Sequence, residues 1–290
     1  MKKLLALATV CACILAAVWI SSCNNNSTEP SKEAAIKDSL AKAVANGDYL
    51  ANHVAACIHC HSKRDFSKFS GPVVPGTEGG GGGLFDHNIL DAIPGTIYSA
   101  NITPDNETGI GSWTDDEILR AITQGINKKG DTLFPIMPYA NYNRMAKEDL
   151  LNIIAYLRTL KPISNKVQAR QLMIPISMAY PAPALQPSVD KNVRADRSDP
   201  VKWGEYLINI ADCATCHTQF VKGQPDFAHI YGGGNVFNVD KFHVASANIT
   251  PDSSGIGNWD EDQFLNKFTL YREEKNDNLN PGLKNTVMPL

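Results

Sequence analysis

Two short stretches set thiols and imidazoles at a fixed spacing: ACIHCHSK at residues 56–63 and DCATCHTQ at residues 212–219. In each, two cysteines lie one helical turn apart and a histidine follows the second directly. This is the attachment pattern of haem c. Cys57 and Cys60 in one copy, Cys213 and Cys216 in the other, can each add to a vinyl group on one porphyrin edge. His61 and His217 then turn back toward the iron. A tetrahedral zinc site needs four convergent ligands, and adjacent Cys and His side chains converge poorly on one ion. A thioredoxin-like redox pair expects a strand before the cysteines, where here a helical pattern precedes them. A disulfide inside one motif leaves the histidine unexplained. Two haem c groups are therefore expected, and no catalytic residue is assigned.

The other axial ligand is expected from methionine. Met137 in FPIMPY and Met288 in NTVMPL occupy the same relative place, each directly before a proline. A methionine is more often core filler, and that reading is kept for Met145, Met173 and Met178, which have no counterpart. His53, His87, His229 and His243 read as surface or satisfied core residues, and His59 as an exposed spacer opposite Thr215. Haem closed on both sides by His and Met passes single electrons. The alternative is a peroxidase-type dihaem enzyme with one open iron, for which Met288 is the weak point. Gly71-Pro72 is expected to offer a carbonyl to His61. Asn101, Trp113, Asn248 and Trp259 read either as propionate donors or as turn and core residues. The glycine run EGGGGG, residues 78–83, reads as a flexible insertion.

The elements that position these residues come twice. SANITPDNETGIGSWTDDEIL at 99–119 matches SANITPDSSGIGNWDEDQFL at 246–265 with one gap. GDYLANHVAA precedes the first cysteine pair and GEYLINIAD the second. The pattern predicts a helix into each motif, with Tyr49, Leu50, His53 and Val54 on one face of the first. A second helix opens at the Thr114/Glu117 capping box and stops at Gly125. A third carries Leu150, Ile153, Ile154, Leu157 and Leu160 and ends before Pro162. Only Pro289 and Leu290 follow Met288, so the second copy is expected to lack its closing helix, as a truncated reading frame would. No alternating run predicts a sheet. The division is 1–22 leader, 23–34 tether, 35–160 first domain, 161–200 proline-rich connector and 201–290 second domain.

Lys2 and Lys3 precede an uncharged apolar run at residues 4–20, and then ISSC. This is the grammar of an export signal, and its ending is that of a bacterial lipoprotein with Cys23 as the lipidated residue. An uncleaved membrane helix is the alternative, the run being at the short limit for spanning. Both place the rest in the bacterial cell envelope, on the periplasmic side and held to the membrane. Cys11 and Cys13 fall in the leader and carry no role. The net charge is −3, which argues against nucleic acid as a partner.

From residue 47 onward the chain resembles bacterial multihaem c-type cytochromes that serve as electron-transfer subunits of membrane-bound alcohol and sugar-acid dehydrogenases. The residues that carry the resemblance are GDYLA, CIHCH, the two SANITPD segments, FPIMPYANY and DLLNIIAYLRTLKP. It implies a mainly α fold of two tandem class I-like cytochrome c domains. It also implies electrons passed from a dehydrogenase toward quinone or a terminal oxidase.

Overall fold

A computed structural model describes residues 31–89, 93–176, 189–221, 224–239, 242–269 and 285–288. Cys23 and Met178 lie outside them. Two compact units are present, Met1–Ala41 and Lys42–Leu290. In the first, the described residues from Lys32 on are helical, with Ile36 and Leu40 exposed. The second contains both cysteine motifs.

Helix α1 (Lys32–Tyr49) runs into a π-helical stretch, Leu50–Val54, where Ala55 N–H donates to Leu50 O at 2.7 Å. This wider winding splits the face expected from the sequence. Leu50 and Val54 point inward, while Tyr49 and His53 face out. After α2 (Cys57–Cys60), α3 (Asp115–Gln124) opens on the predicted capping box: Glu117 N–H donates to Thr114 Oγ1 at 3.2 Å and Thr114 N–H to Glu117 Oε2 at 2.8 Å. Gly125 ends it, as predicted. The short α4 (Tyr139–Tyr142) leads to α5 (Lys147–Leu157), whose Leu150, Ile153, Ile154 and Leu157 are buried. These side chains close one core with Leu50, Ala51, Val54, Ile58, Ile118 and Ile122. Burying each large aliphatic side chain contributes about 1.5–3 kcal/mol.

The second repeat begins with α6 (Pro200–Ile210), capped by Asp199, which accepts from Lys202 N–H at 3.1 Å. Its last residue, Ile210, is buried in the core of the first repeat. Asp149, buried on α5, accepts from Asn46 at 3.1 Å, from Tyr206 Oη of α6 at 2.7 Å and from Arg194 Nε at 3.0 Å. One carboxylate thus joins both repeats to the connector. Removing a partner from such a buried charge costs about 3–5 kcal/mol.

Helices α7 (Cys213–His217) and α8 (Glu261–Thr269) follow. The latter matches α3 in sequence but not in surroundings. Ile118 is 3 % exposed, whereas Phe264 in the matching place is 43 % exposed. Phe268, opposite Ile122, is likewise exposed.

Small antiparallel sheets are present where the sequence suggested none. Strands β1 (Leu84–Phe85), β2 (Gly95–Tyr98) and β3 (Gln171–Leu172) form one, with Leu84 opposite Tyr98 and Gly95 opposite Leu172. Strands β4 (Phe220–Val221) and β5 (Gln224–Pro225) pair, as do β6 (Val236–Val239) and β7 (Phe242–Ala245). Strands of two to four residues leave no room for an alternation to stand out. Described parts of the connector are bound to the first repeat: β3 belongs to it, and Ile163 O accepts from Asn101 Nδ2 at 2.7 Å.

The two pre-motif glycines differ in setting. A Cβ at Gly47 would lie 1.9 Å from Asn152 O on α5, whereas a Cβ at Gly204 would meet nothing within 4 Å. Gly47→Ala should lower stability by about 1–3 kcal/mol through overpacking, and Gly204→Ala should raise it by up to about 1 kcal/mol through helix propensity. Urea denaturation of the two variants checks the contrast; equal effects would contradict this packing.

Candidate functional site

Each cysteine motif is set off from its helix by one strained residue. Ala56 (φ 51°) and Asp212 (φ 53°) both adopt the left-handed conformation, which costs a non-glycine residue about 1–2 kcal/mol. The chain then rewinds into one helical turn. In the first copy Cys60 N–H donates to Ala56 O at 3.1 Å and His61 N–H to Cys57 O at 2.9 Å. Strain of this kind, repeated at matching positions, marks sites where the surrounding structure fixes geometry for a purpose.

Both histidines are oriented by a carbonyl. His61 Nδ1 lies 2.7 Å from Ala100 O, and His217 Nδ1 lies 2.7 Å from Ala247 O. A carbonyl only accepts, so Nδ1 carries the proton and Nε2 keeps its lone pair for a metal. Among the described residues neither Nε2 has a hydrogen-bond partner. Burial holds the His61 imidazole below its ordinary pKa, the bond to Ala100 opposing it, so the ring stays neutral as a ligand must.

The acceptors are the alanines of the two SANITPD segments, not Gly71-Pro72. Gly71 O instead accepts from Arg64 Nε at 2.7 Å. The glycine run is no loose insertion either. Gly81 N–H donates to His61 O, and Gly233 N–H to His217 O, each at 2.7 Å. Both have positive φ, and a Cβ would fall 2.6 Å from Ala100 C at Gly81 and 2.5 Å from Ala247 C at Gly233. A glycine is thus required twice where the histidine segment and its acceptor segment touch. The signal was in the sequence: a run of glycines precedes SANITPD in both halves.

Asn101 and Asn248 are turn residues. Asn101 Oδ1 accepts from Thr103 N–H at 3.0 Å, and Asn248 Oδ1 from Thr250 N–H at 2.8 Å. Trp113 packs on the core, and its carbonyl accepts from Arg158 Nη2 at 2.6 Å, while Trp259 is exposed. His53, His87, His229 and His243 all lie at the surface. His59 is not the exposed spacer expected: it is half-buried, and burial, with Arg64 and His53 nearby, lowers its pKa to about 4. Met145 is core, and Met173 is exposed.

Met137 is partly buried against the same core cluster as Cys57 and Ile58. Met288 lies in a short strap, residues 285–288, whose hydrogen bonds run to the loop that follows His61.

None of the four motif cysteines is in a disulfide. Burial and the neighbouring Cys60 push Cys57 up to about 12; burial, Asp212 and Cys60 do the same to Cys216. Reactive thiols are shifted the other way. Cys60 and Cys216 are nonetheless exposed, while Cys57 and Cys213 are half-buried. No three His, Cys, Asp or Glu side chains among the described residues are arranged to hold a bare metal ion. The motifs therefore fit haem c: two thiols one turn apart, one of them exposed, beside an imidazole of fixed tautomer.

Asp212 stands between the two motifs. Asn141 Nδ2, four residues past Met137, donates to Asp212 Oδ1 at 2.7 Å. Burial raises its pKa from 3.8 to about 6, against the bonds from Thr215 and Asn141. A raised acid favours the fold when protonated, so its contribution is complete below pH 3.8 and is lost as pH rises through 6. The loss is about 3 kcal/mol at most, at about 1.4 kcal/mol per unit. Asp212→Asn should flatten this stability slope between pH 4 and pH 7 in denaturation experiments; an unchanged slope would show that other groups produce it.

No protein-family model matches the chain. Comparison with characterised proteins finds the "Alcohol dehydrogenase (quinone), cytochrome c subunit" of Gluconobacter oxydans, 33 % identical over 77 % of this chain and 45 % of that protein. The "Gluconate 2-dehydrogenase cytochrome c subunit" of Pantoea cypripedii is 32 % identical over 79 % of this chain and 51 % of its own length. A "Diheme cytochrome c-type" protein of Cereibacter sphaeroides is 27 % identical over 76 % and 78 %. The chain spans about half the length of the two dehydrogenase subunits. The resemblance read from the cysteine motifs and the SANITPD segments holds: by sequence this chain is a relative of bacterial c-type cytochromes, among them the cytochrome c subunits of alcohol and gluconate dehydrogenases.

Proposed function

We propose that the chain is an electron-transfer protein with two covalently bound haem c groups, one per repeat. The observation that carries this is the matched pair of motifs. Each has its cysteines on one turn and its histidine held by a carbonyl of the same repeated segment. On this reading Cys57, Cys60 and His61 hold the first haem with Met137, and Cys213, Cys216 and His217 hold the second with Met288. Residues 35–160 and 201–290 are then two tandem cytochrome c domains of class I type, joined by the 161–200 connector. When bound, haem with His and Met ligands supplies a reversible one-electron couple at raised potential.

The chain's own residues do the rest. Ala100 and Ala247 fix the histidine tautomers, and the core around Leu50 and Ile58 keeps water from one side of the first motif. The repeats share that core through Ile210, and Asn141 bonds to Asp212, so the two attachment turns are neighbours. This favours current passing between the haems within one chain. The donor on this reading is a dehydrogenase, the kind of complex to which the relatives belong by name. The acceptor is the quinone pool or a terminal oxidase. Cys23, lipidated, would hold the protein to the membrane on the periplasmic side of the envelope; no helix among the described residues is long and apolar enough to cross.

The mature protein should show two low-spin haems, each with a methionine-to-iron charge-transfer band when oxidised, and both should accept electrons in a redox titration. Cys57→Ser with Cys60→Ser should remove one haem and leave the other. A high-spin spectrum with peroxide turnover would instead establish an open, enzymatic iron.

A further inference from the structure

The two methionine segments match in sequence, yet they are anchored by opposite means. In FPIMPY the position three before the methionine is Phe134, buried in an apolar cluster with Ile93 and Ile97 of its own repeat. In NTVMPL the same position is Asn285, also buried at 3 % exposure, and its amide is committed to the other repeat. Asn285 Oδ1 accepts from Ser70 N–H at 2.8 Å. Its Nδ2 donates to Phe66 O at 2.8 Å and to Lys68 O at 3.1 Å. Ser70 Oγ donates to Met288 O at 2.5 Å, and Arg64 reaches Val287 O at 3.4 Å.

The loop that receives the strap is itself rigidly made. Arg64, three residues past His61, donates to Gly71 O at 2.7 Å and to Ser70 O at 2.5 Å. Its guanidinium lies 4.6 Å from the centre of the Phe66 ring. Phe66 in turn meets Phe242 of β7, with ring centres 6.1 Å apart. Ser70 holds a left-handed φ of 61°. A serine in that conformation is strained, and strain is retained where a carbonyl or amide must face a particular way.

We propose that the 64–71 loop of the first repeat is the platform that positions Met288 for the second haem, with Asn285 as the anchoring residue. This rests on the reading of Met288 as axial ligand. Asn285 and Ser70 are then positioning residues: they hold the backbone of the strap while the thioether does the ligating. The sixth ligand of the second haem depends on the first repeat, whereas Met137 is seated by its own. Phe134 packs with Ile93 and Ile97 of the first repeat and with Leu172 of the connector.

The test uses the mature two-haem protein and optical redox titration, with Met137→Ala and Met288→Ala to assign the two waves. In Asn285→Ala the charge-transfer band of the second haem should be lost and its midpoint should fall, while the first haem keeps both. Ser70→Gly removes a single bond to the strap and keeps the backbone N–H, so it should weaken the same band in a protein that still folds. If Met288→Ala abolishes the second band but Asn285→Ala and Ser70→Gly leave it whole, the platform is refuted and the ligand reading stands. If Met288→Ala leaves both bands, the ligand reading and the platform fall together. An equal loss at both haems in Asn285→Ala would mark general destabilisation and also refute the platform.

Discussion

The arrangement of both motifs depends on one contact, a histidine N–H held at 2.7 Å by a backbone carbonyl. That bond decides which ring nitrogen keeps its lone pair, and it does so without any charged partner. It also dictates the path of two other segments. The SANITPD segment must pass beside the histidine with its alanine carbonyl turned inward. A glycine must lie between the two segments, because Gly81 and Gly233 sit where any side chain would strike that carbonyl's carbon. Asn101 and Asn248 follow from the same demand, since their side chains fold the chain into the turn directly after the alanine.

The repeats are alike at these motifs and unlike around them. The first encloses its motif in a core closed by α5, and its methionine segment is seated by Phe134. The second places Ile210 into that same core and ties its methionine segment to the first repeat through Asn285. Asp149 joins the repeats and the connector through Tyr206, Asn46 and Arg194. The two copies therefore share their local chemistry while their supports differ, and the second copy leans on the first.

Much of this was legible in the sequence because the determinants are local. The cysteine spacing, the Thr114 capping box and the apolar stripe of α5 each lie within a few turns of helix, where periodicity and side-chain chemistry act directly. What escaped were contacts between segments far apart in the chain. Ala100 meets His61 across many residues, and an alanine carbonyl has no side-chain signature. The choice of Gly71-Pro72 as acceptor failed for that reason. The glycine run was misread because its role is steric and appears only once its neighbours are in place. Strands of two to four residues carry too little alternation to stand out, and nothing in NTVMPL itself marks Asn285 as a buried anchor.

The central claim is that each cysteine pair is bonded to a porphyrin beside its oriented histidine. The intact mass of the mature protein, produced alongside a functioning cytochrome c maturation system, tests it most directly. The account requires the polypeptide plus two covalently bound haems, reduced to one when either cysteine pair is replaced by serine. A mass equal to that of the unmodified polypeptide, with all four thiols open to alkylation, would contradict it.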